Sequence, residues 1–113
     1  MAKAERESIS LQTGLHQEIS LNYSELRKAV IILRAVNHKL RQSIINLLEE
    51  NEKMTVTDLY VKLRLEQSVA SQHLAILRRA GVVSTERNGK FIYYHLNEQR
   101  LEQINELIEN LIQ

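Results

Sequence analysis

Residues 67–83, Gln67-Ser68-Val69-Ala70-Ser71-Gln72-His73-Leu74-Ala75-Ile76-Leu77-Arg78-Arg79-Ala80-Gly81-Val82-Val83, decide how the rest of the chain is read. Ala70, Leu74, Leu77 and Ala80 recur at spacings of 4, 3 and 3, which puts them on one side of a helix running from about Gln67 to Ala80. Gly81 follows as its stop, because glycine accepts the left-handed backbone that closes a helix. Gln67, Ser68, Ser71 and Gln72 crowd the N-terminal half of the other side.

Upstream, Thr57 as N-cap and Asp58 in the first turn open a short helix with Leu59 and Leu63 on its buried stripe. Arg64-Leu65-Glu66 joins the two tightly. Downstream, from Val82 to Leu96, the period of the apolar residues changes from 3.6 to 2. Asn88-Gly89 lies at the centre and predicts a two-residue type I′ hairpin. That turn sets Thr85 opposite Ile92 and Val83 opposite Tyr94 on an inner face, with Ser84 and Tyr93 on the other. Asn97 then caps a last helix with Leu101, Ile104, Leu107, Ile108 and Leu111 on one side.

Further toward the N-terminus, Ser24 caps a helix carrying Leu26, Ala29, Val30, Leu33 and Val36, and Asn37-His38 interrupts it. A second helix bears Leu40, Ile44, Leu47 and Leu48 and ends near Glu50-Asn51, before a short extended segment at Met54-Thr55-Val56. Residues 1–20 are polar, with scattered Ile9, Leu11, Leu15 and Ile19, and read as a tail or an extra partial helix. Residues 21–113 then form one domain. The expected fold is mainly α: five main helices and a two-stranded β-hairpin wing in a winged helix-turn-helix.

The composition fits that order. The 113 residues are 43% hydrophobic and 26% charged, with formal net charge +1, no proline, and glycine only at 14, 81 and 89. Such a chain can bury one core and has few helix breakers. There is no cysteine, which excludes disulfides, thiolate metal sites and thiol redox chemistry. No apolar run approaches the roughly 18 residues of a membrane span. Residues 1–8 lack the apolar centre of a secretory signal, and the missing cysteine makes a reducing cytoplasm the simplest home while permitting other compartments.

A short helix, a tight connection, a longer helix and a hairpin suit duplex DNA: the longer helix enters the major groove and the hairpin touches backbone or minor groove alongside. Glutamine pairs with adenine through two hydrogen bonds, and serine donates or accepts. Gln67, Ser68, Ser71 and Gln72 therefore read base edges in this account. His73, Arg78 and Arg79 bind phosphates, as do Arg87 and Lys90 at the wing tip. Charge placement agrees. Between residues 62 and 90, Lys62, Arg64, Arg78, Arg79, Arg87 and Lys90 are opposed only by Glu66 and Glu86. Between 97 and 113, Glu98, Glu102, Glu106 and Glu109 are opposed only by Arg100. An ordinary solvated helix face explains any one of these residues as well, though not the whole arrangement.

The stretch from Thr57-Asp58-Leu59 through Ser68-x-x-Ser71-Gln72-His73-Leu74-x-x-Leu77-Arg78-x-Ala80-Gly81 to Tyr93-Tyr94-x-Leu96 resembles the ArsR/SmtB family of repressors over roughly residues 25–111. The resemblance implies a homodimer built from the first and last helices, binding to a promoter operator, and release by a signal. It also makes Ser68, Ser71, Gln72 and His73 the principal DNA contacts. Where many family members place metal-binding cysteines near the third helix, this chain has Thr55 and Thr57. The Asp and His ligands that others carry on the last helix are missing too, since no histidine follows His95. Arg64 replaces a frequent turn glycine, and Glu66 replaces a frequent Ser or Thr cap.

Neither a metal nor a cofactor is therefore expected, and the inducer is unknown. His16, His38, His73 and His95 contain no i, i+3 or i, i+4 pair, as surface or hydrogen-bonded imidazoles would be spaced. A tertiary site using His16 or His38 stays open. The dimer interface is assigned to Leu26, Val30 and Leu33 on the first helix with Ile104, Leu107, Ile108 and Leu111 on the last. Two-fold symmetry would then call for an inverted-repeat operator. Two other classes were weighed. A winged-helix module that docks proteins rather than DNA is the alternative. An enzyme lacks support: there is no cysteine nucleophile, Gly-rich phosphate loop or His-Glu metal motif.

Overall fold

Five helices and five short strands follow one another in the computed structural model, which describes residues 10–12 and 18–113. In chain order they are β1 (Ser10–Gln12), β2 (Glu18–Ser20), α1 (Tyr23–Val36), α2 (Lys39–Asn51), β3 (Lys53–Thr55), α3 (Val56–Leu63), α4 (Gln67–Arg79), β4 (Val83–Asn88), β5 (Phe91–Leu96) and α5 (Glu98–Ile112). The expected order from α1 onward is the observed one. The N-terminal segment differs: β1 and β2 pair antiparallel, with Leu11 opposite Ile19, where a tail or partial helix was expected. The chain divides into two units between Ile32 and Leu33, inside α1.

Helix starts follow local hydrogen bonding. Asn22, rather than Ser24, caps α1: its Oδ1 accepts from Glu25 N–H at 3.1 Å, and Ser24 is already helical. At α3 the cap is Thr55, two residues before the expected Thr57. Its hydroxyl accepts from Asp58 N–H at 3.1 Å while the Asp58 carboxylate accepts from Thr55 N–H at 3.3 Å. This reciprocal box needs its carboxylate three residues after the cap, a spacing Thr55–Asp58 has and Thr57–Asp58 lacks. His38 caps α2 through Nδ1, which accepts from Leu40 N–H at 3.1 Å. Asn97 caps α5, as expected, accepting from Arg100 N–H at 3.3 Å.

The two helices of the helix-turn-helix end in the same way. At the end of α4, Val82 N–H bonds to Leu77 O and Gly81 N–H to Arg78 O, both at 2.9 Å, with Gly81 at φ +76°. At the end of α3, Leu65 N–H bonds to Tyr60 O at 2.9 Å and Arg64 N–H to Val61 O at 3.2 Å, with Arg64 at φ +55°, ψ +47°. Each is a Schellman closure. In the second, an arginine holds the left-handed position that glycine fills without a Cβ penalty. Gly81 meets a second demand, since a Cβ there would lie 3.0 Å from Arg100 Nε.

The sheet has strand order β3-β5-β4, all antiparallel, so the wing is a hairpin extended by a third strand at its base. Its register corrects the expected one. Thr85 faces Tyr94, Arg87 faces Ile92 and Val83 faces Leu96, a slip of two residues. The turn is Gly89-Lys90, with Gly89 alone at positive φ, +67°. Glycine first in the loop is the type II′ pattern, which spares Asn88 the positive φ that type I′ demands. Asn97 N–H to Val82 O, at 2.8 Å, secures the same register at the hairpin base. A two-residue slip keeps each side chain on its face. The expected inner face does not reach the tip, however: Ile92 is about half exposed, while Val83 is buried.

The core of residues 33–113 gathers Ala35, Ile44, Leu48, Met54, Leu59, Ala70, Leu74, Leu77, Ala80, Val82, Val83 and Ile104. Each fully buried Leu or Ile among them stabilises the fold by about 1.5–3 kcal/mol. Ile104 corrects the expected dimer set. It is 7% exposed within a single chain and so is unavailable to a partner. Beyond it every residue of α5 is exposed, because the helix runs past the end of the core.

Arg64→Gly is expected to raise stability by up to about 1 kcal/mol, since a left-handed Cβ costs roughly 1–2 kcal/mol and glycine's freedom in the unfolded chain returns part of that. A higher urea midpoint at constant slope would register the gain. A lower midpoint would mean that the arginine side chain itself supports the turn.

Candidate nucleic-acid interface

Burial of Ala70, Leu74 and Leu77 sets the rotation of α4 about its axis. Gln67, Ser68, Ser71, Gln72, Ala75, Arg78 and Arg79 are consequently exposed, and Ser68, Ser71 or Gln72, Ala75 and Arg78 or Arg79 follow one another along one face. Among the described residues none gives the side chains of Gln67, Ser68, Ser71 or Gln72 a hydrogen-bond partner. Their donors and acceptors face water and are available for base edges. Ala75, which the sequence reading passed over, leaves the middle of this face low. A small apolar side chain there permits close approach and suits a thymine methyl.

The N-terminus of α4 adds a backbone feature. Val69 and Ala70 N–H both bond to Glu66 O at 3.1 Å, which leaves the amides of Gln67 and Ser68 without an intrahelical acceptor. The Glu66 side chain makes no cap bond. Its carboxylate sits beside amides that would otherwise favour a phosphate. At the other end, Arg78 and Arg79 complement the negative pole of the helix and remain exposed.

At the wing, Arg87 Nε donates to Gly89 O at 3.2 Å and braces the turn. Lys90 Nζ lies 5.8 Å from the Phe91 ring centroid. Glu86, the carboxylate nearest the tip, pairs with Lys53 at 3.6 Å. The tip is therefore positive. An open groove of about 740 Å³ is lined by Glu49, Glu50, Glu52, Glu98 and Glu102 together with the Lys53–Glu86 pair. That lining repels phosphate and leaves the α4 face and wing tip as the favourable surfaces.

His73 departs from the outward set. It is half-buried, its ring centroid lies 5.0 Å from that of His38, and its Nδ1 lies 3.2 Å from Arg41 Nη1. Arg41 also donates through Nε to Ala35 O at 2.6 Å and through Nη2 to Arg34 O at 3.1 Å. One guanidinium thus ties the end of α1, the start of α2 and the recognition helix together. Arginine has no acceptor, so the contact requires an unprotonated His73 Nδ1. Burial, then the nearby His38, then Arg41 hold the His73 pKa below its ordinary value.

Sequence reasoning missed Arg41 altogether and weighed His38 as a surface or hydrogen-bonded imidazole or a metal ligand, not as a helix cap. The break at Asn37-His38 was the one local signal, since it marks a capping position. His16 lies outside the described residues. Among the described residues, no group of three or more His, Cys, Asp or Glu side chains is placed to hold a metal ion. No helix among them is long and apolar enough to cross a membrane.

Known proteins share this arrangement. Residues 38–85 match the model of the bacterial regulatory protein arsR family. The transcriptional activator HlyU of Vibrio cholerae is 38% identical over 84 residues, covering 74% of this chain and 77% of HlyU. The crystal structure of the transcriptional repressor PagR of Bacillus anthracis superposes with a TM-score of 0.62 at 33% identity, over 77% of this chain and 99% of PagR. The homodimeric winged helix-turn-helix DNA-binding domain Mb0332 of Mycobacterium bovis gives 0.66 at 20% identity, over 80% and 82%, a likeness of fold.

A neutral His73 stabilises the fold above its unfolded pKa of about 6.5. Because the folded pKa is lower, this contribution is lost as pH falls through the folded value. Urea midpoints from pH 7.5 to 5.5 should therefore drop more for the wild type than for His73→Gln. Parallel curves would show that the contact carries no linked proton.

Proposed function

Since the chain belongs to the ArsR family of bacterial regulatory proteins, a group of DNA-binding transcription regulators with the winged helix-turn-helix fold, we propose that it is a repressor acting as a homodimer on an inverted-repeat operator. The observation that carries this reading is the unpartnered Ser/Gln face of α4 beside a positive wing tip. In the major groove, Gln72 and Gln67 offer paired donor and acceptor atoms to adenine, and Ser68 and Ser71 serve neighbouring bases. Arg78, Arg87 and Lys90 contact phosphates and set the position of α4 along the duplex. His73 acts behind this face, positioning α4 through Arg41 rather than touching DNA.

Pairing follows from the terminal helices. Leu107 and Ile108 are each 43% exposed, Leu111 is 74% and Ile112 is 79% exposed, a continuous apolar stretch on the free end of α5. Leu26 on α1 is 49% exposed, and Val30 and Leu33 are half-buried. Covering these with the same helices of a second copy removes them from water and relates two α4 helices by a two-fold axis. Half-sites about 34–36 Å apart, one helical turn, would match. Occupying such a site would exclude polymerase from the promoter, and the similarity to PagR, a transcriptional repressor, supports the repressor sense. The protein acts in the cytoplasm, where the operator lies. The reading involves no enzymatic step, metal or cofactor.

Two substitutions separate base reading from phosphate contact. Gln72→Ala is expected to relax preference at one operator base pair at a cost of about 1–3 kcal/mol. Lys90→Ala should weaken binding to all duplexes alike and reduce the salt slope by about 1. Gel-shift titrations over a salt series read both effects. Unchanged preference and slope would show that neither side chain has the assigned role, and a wild type without salt-sensitive duplex binding would favour the protein-docking alternative.

A further inference from the structure

The wing tip carries more apolar surface than phosphate contact requires. Phe91 is 51% exposed and Ile92 49% exposed, and they project from opposite faces of the ribbon next to the turn. Hairpin tips in water are ordinarily polar. Around them stand Arg87 and Lys90, and Glu86 is held by Lys53 at the base of the sheet, so no free carboxylate accompanies the two apolar groups. Arg87 braces the turn through Gly89 O, and Lys90 lies over the Phe91 ring, so the aromatic side chain is presented on a fixed, positively charged support.

With the hairpin in the minor groove, where the winged fold is expected to place it, we infer that Phe91 is inserted there as a wedge, unstacking a base step and bending the DNA. The chemistry is complementary: the groove walls carry phosphates for Arg87 and Lys90, and a base step offers apolar surface to the half of Phe91 that stays exposed although its ring lies 6.3 Å from that of Tyr93. Pyrimidine–purine steps (TA, CA/TG) unstack at least cost. Phe91 therefore confers a sequence preference outside the bases that α4 reads, through deformability rather than hydrogen bonds. This rests on the major-groove reading of α4 and deepens it.

The test selects duplexes from a random-sequence pool with the full chain, as wild type, Phe91→Ala and Phe91→Leu. The wild type should enrich a pyrimidine–purine step at a fixed distance from the bases sensitive to Gln72→Ala. The duplex should be bent in the complex, as read by fluorescence transfer between its ends. Phe91→Ala should lose that step preference and most of the bend, with affinity falling roughly tenfold, while selecting the same central bases. Phe91→Leu should keep most of both. An alanine variant with the same step preference and bend would overturn the wedge and leave the α4 reading intact. A wild type that enriches no duplex would overturn both. A change in sedimentation of free Phe91→Ala, with DNA binding unaffected, would mean that a second copy covers the tip and would also overturn the wedge.

Discussion

The functional surface depends on the burial of one helical stripe. Ala70, Leu74 and Leu77 have no exposed surface, and their removal from water holds α4 at one rotation about its axis. A turn of the helix by one residue, about 100°, would place leucine in solvent and serine in the core. The position of Ser68, Ser71 and Gln72 is therefore a consequence of apolar packing rather than of any interaction those residues make. The two Schellman closures set where that helix begins and ends relative to its neighbours. Asn97 adds a join: its Nδ2 donates to Gly81 O at 2.9 Å, its N–H to Val82 O, and its Oδ1 caps α5.

Electrostatics then separates the exposed surfaces by their attraction for phosphate. The net charge of +1 is too small to steer the chain as a whole. Segregation does the work, with arginine and lysine at the end of α4 and the wing tip, and glutamate lining the groove between α2, the sheet and α5. Glu66 opposes this arrangement by placing a carboxylate at the open N-terminus of α4. Arg41 works on the inner side. One of its three contacts is to His73, whose pKa burial, His38 and Arg41 together hold down, so the support behind α4 weakens when acid converts that imidazole to a cation.

Much of this was legible in the sequence because its signals are local. The order of elements from α1 onward, the stop at Gly81, the cap at Asn97 and the outward Ser/Gln face all follow from residues within about one helical turn of each other. The family resemblance lay in the same contiguous stretch. Errors of one or two residues arose where two local candidates competed. Thr55 prevailed over Thr57 by its spacing to Asp58, and Gly89-Lys90 prevailed over Asn88-Gly89 because only one residue then needs positive φ. Tertiary facts were out of reach. Arg41 meets His73 across 32 residues, Ile104 turns into the core of its own chain, and β3 joins β5 from the other side of the helix-turn-helix. Neither periodicity nor capping chemistry carries information over such separations.

The claim on which the account stands is that the outward face of α4 lies in a major groove. Dimethyl sulfate footprinting of a selected duplex probes it most directly, because guanine N7 opens only into that groove. Guanine N7 atoms should be protected in two patches about 10 base pairs apart, and the protection should be lost in both when α4 of each subunit bears Ser71→Glu. Strong binding with every guanine N7 still reactive would contradict it.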